Sequence, residues 1–173
     1  MRVIEGHGVR LRAAGEGDRE RFTGILAAPG VARWWGDARE EAAGVCAPEE
    51  GTRSYAIERG GAVVGLVQAW EETTPHYRHA GLDVAVDAAC QRRGFGGAAL
   101  YVLARHLFEV EGHHRLTIDP AVGNEGAVRL YQRLGFRPVG VMRQYERRAD
   151  GTVRDGLLMD MLAGELVVPP LPR

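Results

Sequence analysis

Apolar positions change period several times along the chain, and each change marks an element. Val9 to Arg12 alternates apolar with charged residues, as a half-buried strand does. Phe22, Ile25 and Leu26 then recur at helical spacing in a helix over about Arg19 to Ala28, which Pro29-Gly30 breaks. Val31 to Trp35 is short and aromatic, and Asp37 to Cys46 reads as a second helix. Ser54 to Glu58 and Ala62 to Trp70 predict a hairpin around Gly60-Gly61, with a polar loop from Glu71 to His79. The apolar run Leu82 to Val86 lies in a strand over Gly81 to Asp87. The helix after it reaches about Val110 and buries Phe95, Ala99, Val102, Leu103, Leu107 and Val110. Arg115 to Asp119 predicts a strand ending at Pro120. Asn124 is set to cap a further helix, with Glu125 favourable in its first turn and Gly135 at its end. Pro138 to Arg147 and Thr152 to Leu162 form a last hairpin around Asp150-Gly151, and the tail from Val167 reads as irregular. Strands first, then helix and strand in alternation, predict a mixed α/β sheet with helices on both faces.

Composition narrows the setting. The 173 residues suffice for one domain with a real core, expected over 1–163, with 164–173 as an irregular tail. A net charge of −1 gives no global nucleic-acid footprint. Met1-Arg2-Val3-Ile4-Glu5 turns charged at once, unlike a secretion signal, and no apolar run approaches transmembrane length. Cys46 and Cys90 are too few for a disulfide framework. These features together predict a cytoplasmic protein with no membrane and no nucleic-acid partner.

The junction Gln91-Arg92-Arg93-Gly94-Phe95-Gly96-Gly97-Ala98 changes the picture most. It joins a strand to a helix start, where unpartnered N–H groups and the helix dipole attract anions. Glycines at 94, 96 and 97 let a phosphate approach the backbone without Cβ clashes, and Arg92 and Arg93 add charge at the rim. A P-loop is excluded because the chain has no lysine to close it. A dinucleotide fingerprint lacks its third glycine, since Gly97 is followed by Ala98-Ala99. Two readings stay open here: a pyrophosphate cradle, and a tight turn whose glycines serve helix–strand packing.

Gln-x-x-Gly-x-Gly after Val86-Asp87-Ala88 resembles motif A of the GNAT acetyltransferase superfamily. Downstream, Asn124 to Phe136, with its Asn, Ala, Tyr and closing Gly-Phe, resembles motif B. The resemblance covers Val9 to about Ala163, and Ala88 stands where many members have proline. It implies the GNAT fold, a mixed, mostly antiparallel sheet of about six or seven strands. Its two central strands would part in a V-shaped split, between Leu82–Val86 and Arg115–Ile118, that holds acetyl-CoA. The backbone at Val84 to Val86 would then pair with the pantetheine arm. The N–H groups from Arg92 to Ala98 would hold the pyrophosphate, and Asn124 would bond the cofactor near its thiol end. A homodimer is the family expectation.

Tyr131 lies seven residues after Asn124, so it shares that helix face about 10 Å along the axis. The resemblance makes it the acid for the departing thiolate; the alternative is a core tyrosine. The implied reaction is direct acetyl transfer to an amine. An amine near pKa ~10 holds its proton some 6 units, ~8 kcal/mol, more tightly than a carboxylate near ~4. A nearby aspartate therefore orients the cation and takes the proton after attack. Asp83 alternates with Leu82, Val84 and Val86, which points it away from the apolar face. The alternative is a solvated strand residue. The N–H of Val84 or a neighbour is the natural donor to the developing oxyanion. Asp119 ends the adjacent strand, where either a site role or simple capping before Pro120 fits.

A narrower resemblance concerns the acceptor. Arg33-Trp34-Trp35-Gly36, Gly81-Leu82-Asp83, and Ile118-Asp119-Pro120 with Asn124 resemble the aminoglycoside 6′-N-acetyltransferases. That resemblance makes Asp83 the base, Asp119 a holder of an amino group, and Tyr131 the acid. A small-molecule polycation wants acidic groups and aromatic faces, which Trp34, Trp35, Trp70, Glu71 and Glu72 could supply. Leu11-Arg12 and Arg148-Ala149-Asp150-Gly151-Thr152 also resemble ribosomal-protein-type and spermidine-type relatives, so polyamine, lysine and protein N-terminal amines stay open. So does a non-catalytic acetyl-CoA-binding module. His76, His79, His106, His113 and His114 have no cysteine or carboxylate at zinc spacing, so no metal is expected. Cys90 has no His-Asp support as a nucleophile and reads as a small buried residue.

Overall fold

A computed structural model of the chain describes residues 2–148 and 150–173; the parts of the opening segment and of the last turn that fall on Met1 and Ala149 lie outside them. Thirteen strands and α-helices follow in order among the described residues. They are β1 (Ile4–Gly6), β2 (Val9–Ala13), α1 (Arg19–Ala27), α2 (Pro29–Ala32), α3 (Ala38–Cys46), β3 (Thr52–Arg59) and β4 (Ala62–Glu72). Then come β5 (His79–Val86), α4 (Phe95–Glu109), β6 (Arg115–Ile118), α5 (Glu125–Leu134), β7 (Arg137–Arg147) and β8 (Val153–Leu162). The strands form one eight-stranded sheet in the order β1-β2-β3-β4-β5-β6-β8-β7, antiparallel throughout except for β5 and β6. No described helix is long and apolar enough to cross a membrane.

The mixed sheet is as expected, with eight strands against the six or seven that the resemblance implied. β1 was missed because its hairpin turns on His7-Gly8, not on a familiar Asn-Gly pair. Both turn residues take positive φ, 48° and 78°, which matches the twist of a two-residue hairpin. Pro29-Gly30 does end α1, but Pro29 also starts α2, since proline costs nothing at a first helical position. The expected polar loop is shorter: β4 continues through Glu72 and pairs it with His79.

Helix ends follow local chemistry. The Asp37 carboxylate accepts the N–H groups of Arg39 and Glu40 at 3.0 and 3.1 Å and caps α3. Asn124 Oδ1 accepts the Ala127 N–H at 3.3 Å and caps α5, and Gly135 ends that helix at φ 113°.

Each sheet face carries its own core. Leu82, Leu103, Leu116, Tyr131 and Leu134 belong to the α4–α5 side, and Phe22, Leu26, Val45, Leu66 and Ala85 to the α1–α3 side. Val110, expected inside, is 64% exposed, because α4 stops at Glu109 and the chain turns away towards β6.

The strand register opens the sheet at its centre. β5 and β6 pair at Ala80–Leu116 and Gly81–Thr117 and part beyond them. Leu82 to Val86 thus diverges from the end of β6, and the resulting V opens towards the start of α4.

Candidate active site

At the mouth of the split, β5 passes through a short turn into α4. The Asp87 carboxylate accepts the Ala89 N–H at 2.8 Å and pairs with Arg21, which also donates to the Val63 carbonyl. The Gln91 amide donates to the Val86 carbonyl at 3.1 Å. Arg92 then takes φ 60° and Gly94 φ 94°, and α4 begins at Phe95. Ala98 N–H already donates to the Gly94 carbonyl, so the first-turn donors left for an anion are those of Phe95, Gly96 and Gly97. The Arg93 guanidinium lies 5.4 Å from the Phe95 ring centroid.

The glycines serve the packing that the second sequence reading expected. A Cβ on Gly96 would lie 3.3 Å from Val86 Cγ2, and one on Gly97 would lie 3.2 Å from Leu130 Cδ1. Those two positions bring α4 against β5 and α5, while Gly94 supplies the left-handed backbone that turns the chain.

On the α1–α3 face the strand opens into a cavity of about 560 Å³. Trp34, Trp35, Asp37, Glu41, Gln68 and Asp83 line it together with Glu146, Arg147, Arg148 and Asp150. Arg154 fixes the tryptophan segment: it donates to the Arg33 and Trp34 carbonyls at 2.9 and 2.6 Å and pairs with Glu146. Guanidinium groups of Arg33 and Arg154 lie 5.1 and 5.9 Å from the Trp34 ring.

Asp83 shares its face with Ala85 and opens into this cavity. Its side chain is exposed to the solvent of the cavity, while the protein around the cavity desolvates the carboxylate. That desolvation pushes its pKa up to about 7. The Val84 N–H, donating to Asp83 Oδ1 at 2.8 Å, opposes the rise, and the charges of Asp119, Glu41 and Glu146 add to it. The Val84 N–H is therefore engaged with Asp83 and does not stand free for an oxyanion. Burial also raises the Glu41 carboxyl, against the Gly36 N–H.

Tyr131 approaches the split from the other face. It is 5% exposed, on α5, with its ring edge-on to Phe136 at 6.1 Å. Burial raises its hydroxyl pKa well above the usual value, and the charges of Asp83 and Asp119 raise it further. Asp119 follows β6 directly and accepts a hydrogen bond from the Tyr145 hydroxyl. That bond first, and burial second, push Tyr145 up to about 12.

The structure thus brings Asp83, Asp119, Tyr131, Trp34 and Trp35 together. It sets Trp70, Glu71 and Glu72 apart, because β4 runs on as a strand to the closed end of the V. The Trp70 ring covers Gly81, which has no Cβ to oppose it, and meets His79 edge-on at 5.5 Å. Glu71 pairs with Arg53, which also pairs with Glu111. His113 is buried there, 3.7 and 3.8 Å from the same two carboxylates, so Glu71, Glu111 and His113 surround a guanidinium. Glu72 accepts the Thr74 N–H at 2.8 Å. Tyr145 was missed: as the lone aromatic of the last hairpin it carried a weak signal, and the bulge that aims it has no sequence signature.

Comparison with known proteins shows the family and the fold. The family model described as the acetyltransferase (GNAT) family matches residues 21–136. The chain is 35% identical over 77 residues to the [ribosomal protein bS18]-alanine N-acetyltransferase of Escherichia coli (strain K12), covering 44% of this chain and 51% of that protein. It is 35% identical over 78 residues to an N-alpha-acetyltransferase of Sulfurisphaera tokodaii, covering 45% and 44%. The chain spans about half the length of the curated relatives it matches. Its fold is also that of the spermidine N-acetyltransferase of Vibrio cholerae solved with CoA and spermine, at TM-score 0.76 and 21% identity, covering 92% and 98%.

Proposed function

The chain belongs to the acetyltransferase (GNAT) family, and from that premise we propose that it moves an acetyl group from acetyl-CoA directly onto a primary amine held in the acidic cavity. One observation carries the reading: Asp83 and Tyr131 reach the same split from opposite faces of the sheet. Acetyl-CoA lies in the V between β5 and β6, with its pyrophosphate on the first-turn N–H groups of α4 and its thioester between the two side chains. Arg92 and Arg93 add positive charge at the cradle rim, and the Asn124 amide faces the thiol end.

The electrostatics suit that chemistry. With Asp83 at about 7, the gap to an amine near ~10 falls to about 3 units, or ~4 kcal/mol. The substrate ammonium first gives one proton to Asp83, which passes it to the solvent of the cavity. The freed lone pair attacks the thioester carbon, Asp83 takes the second proton from the nitrogen, and the C–S bond breaks. Tyr131 gives its proton to the leaving sulfur. These transfers help each other: once Asp83 is neutral, one of the charges that holds the Tyr131 proton has gone.

The acceptor is a small cationic amine, a polyamine or an aminosugar such as an aminoglycoside presenting its 6′-amine. Five carboxylates against two arginines in the cavity wall, with two indoles, support that class. A protein N-terminal amine is the second reading, favoured by the two curated relatives named for that reaction.

CoA release across kanamycin, tobramycin, spermidine, lysine and an alanine-starting peptide tests both. Turnover of a polycation at micromolar KM supports the first reading, and preference for the peptide supports the second. Tyr131→Phe is expected to lower kcat roughly 10–100-fold on the preferred amine with unchanged acetyl-CoA affinity. A wild-type protein that binds acetyl-CoA and acetylates nothing would return the non-catalytic module.

A further inference from the structure

The last hairpin contains an irregularity that the acetyl-transfer reading does not use. β7 and β8 pair in register at Met142–Gly156 and again at Glu146–Arg154. Between those pairs, Arg143, Gln144 and Tyr145 stand against the single residue Asp155. This is a β-bulge with two surplus residues, a device that bends a strand and re-aims a side chain. Gln144 takes φ 52°, a conformation that non-glycine residues hold only when their surroundings impose it. The Asp155 carboxylate imposes it, accepting the Gln144 N–H at 2.7 Å.

Asp155 also fixes what the bulge points at. Its carbonyl accepts the Val122 N–H at 2.9 Å, and Leu157 N–H donates to the Pro120 carbonyl at 2.8 Å. The segment just after Asp119 is therefore tied to β8 beside the bulge. Tyr145 crosses between them over Gly156, where a Cβ would lie 2.8 Å from Tyr145 Cδ1. Its hydroxyl ends on Asp119 Oδ2. Tyr145 is 53% exposed, so packing alone does not require that bond. A bulge on an exposed edge strand also deters edge-to-edge pairing, but that purpose does not select a tyrosine aimed at a carboxylate.

We infer that Tyr145 is a positioning residue for the acceptor, and that the bulge anchored by Asp155 exists to deliver it. Resting on the acetyl-transfer reading, the inference gives the Tyr145 hydroxyl Asp119 Oδ2 and leaves Oδ1 to hold an ammonium group of the amine. A rotationally fixed carboxylate binds a cation with less ordering cost than a free one. The acceptor class is thus one with a cationic nitrogen within reach of Asp119 while its nucleophilic nitrogen faces Asp83.

Steady-state kinetics on the full chain, with the preferred acceptor of the amine panel, test this. Tyr145→Phe keeps the ring and removes the hydroxyl, and it should raise the amine KM about tenfold, the worth of one hydrogen bond to a charged group. The kcat and the acetyl-CoA KM should stay within twofold. Asp155→Ala, which leaves the cavity lining intact, should reproduce the same amine KM change by freeing the bulge. The double variant should add little to either single one. An amine KM within twofold in Tyr145→Phe overturns the inference. So does a parallel rise in the acetyl-CoA KM, which would mean a disturbed hairpin and not a misplaced Asp119. A wild-type chain that turns over no amine fails the acetyl-transfer reading itself, and this inference with it.

Discussion

Asp83, as the proposed base, would serve chemistry at the expense of the fold. A carboxyl whose folded-state pKa lies above its unfolded value near ~4 stabilises the fold only while protonated. Its contribution is complete below about pH 4 and is lost as pH rises through about 7, where the folded carboxyl ionises. Asp83→Asn keeps the shape and removes the charge, so its gain in Tm over wild type should grow from about pH 4 to about pH 8. The kcat/KM of the wild type should climb through about 7, and the variant should lack that limb. A Tm difference that stays constant with pH would show that Asp83 titrates normally, and its place as base would go. Alternation along β5 pointed Asp83 away from the apolar face and helical spacing put Tyr131 on the face of Asn124, while the roles given to both came from the family resemblance. Neither periodicity reports on Tyr145, whose direction depends on a bulge and on a partner 26 residues away at Asp119.

The same division holds among elements. Short-range signals carried the helices: Asn124 as a cap, Gly135 as a stop, and the glycines that open α4. Local pairings without a familiar turn signal were not legible, so β1 was missed and the reach of β4 through Glu72 was underestimated. Least visible was the tail. It has no regular structure, yet Pro172 is buried against Gly94, and Arg173 N–H donates to the Arg93 carbonyl at 2.9 Å. Arg93 Nε donates back to the Arg173 carbonyl at 3.1 Å. The carbonyl side of the turn that opens α4 is thereby braced, and the proposed anion site would use the N–H groups on its other side. Gly94→Ala should strain the φ of 94° and place a Cβ 3.2 Å from Pro172 Cα. Left-handed backbone costs an alanine about 1–2 kcal/mol, so acetyl-CoA affinity by calorimetry should fall about tenfold. Gly15→Ala, in open space at φ −159°, is the control. Equal affinity in the two variants would remove the cradle from the start of α4.

At the scale of the whole molecule, the site exists because two neighbouring strands stop pairing, and the closed end of the V must resist the strain of the open one. Arg53 on β3 holds that end by pairing with Glu71 on β4 and with Glu111 after α4, beside the buried His113. Removing the cation leaves two carboxylates facing each other in a half-dry setting. Breaking a fully buried pair costs about 3–5 kcal/mol, and side-chain exposures of 26%, 20% and 18% reduce that. Arg53→Met should therefore lose about 2 kcal/mol in urea unfolding. Glu111→Gln on top of it removes one of the stranded charges, so the double variant should recover part of the loss. If the network also sets the angle between β5 and β6, Arg53→Met should raise the acetyl-CoA KM while leaving the pH dependence due to Asp83 in place. A stability loss without that KM change would confine Arg53 to holding the sheet together. A loss below about 0.5 kcal/mol, the scatter of ordinary surface substitutions, would mean that the V is held by its strands alone.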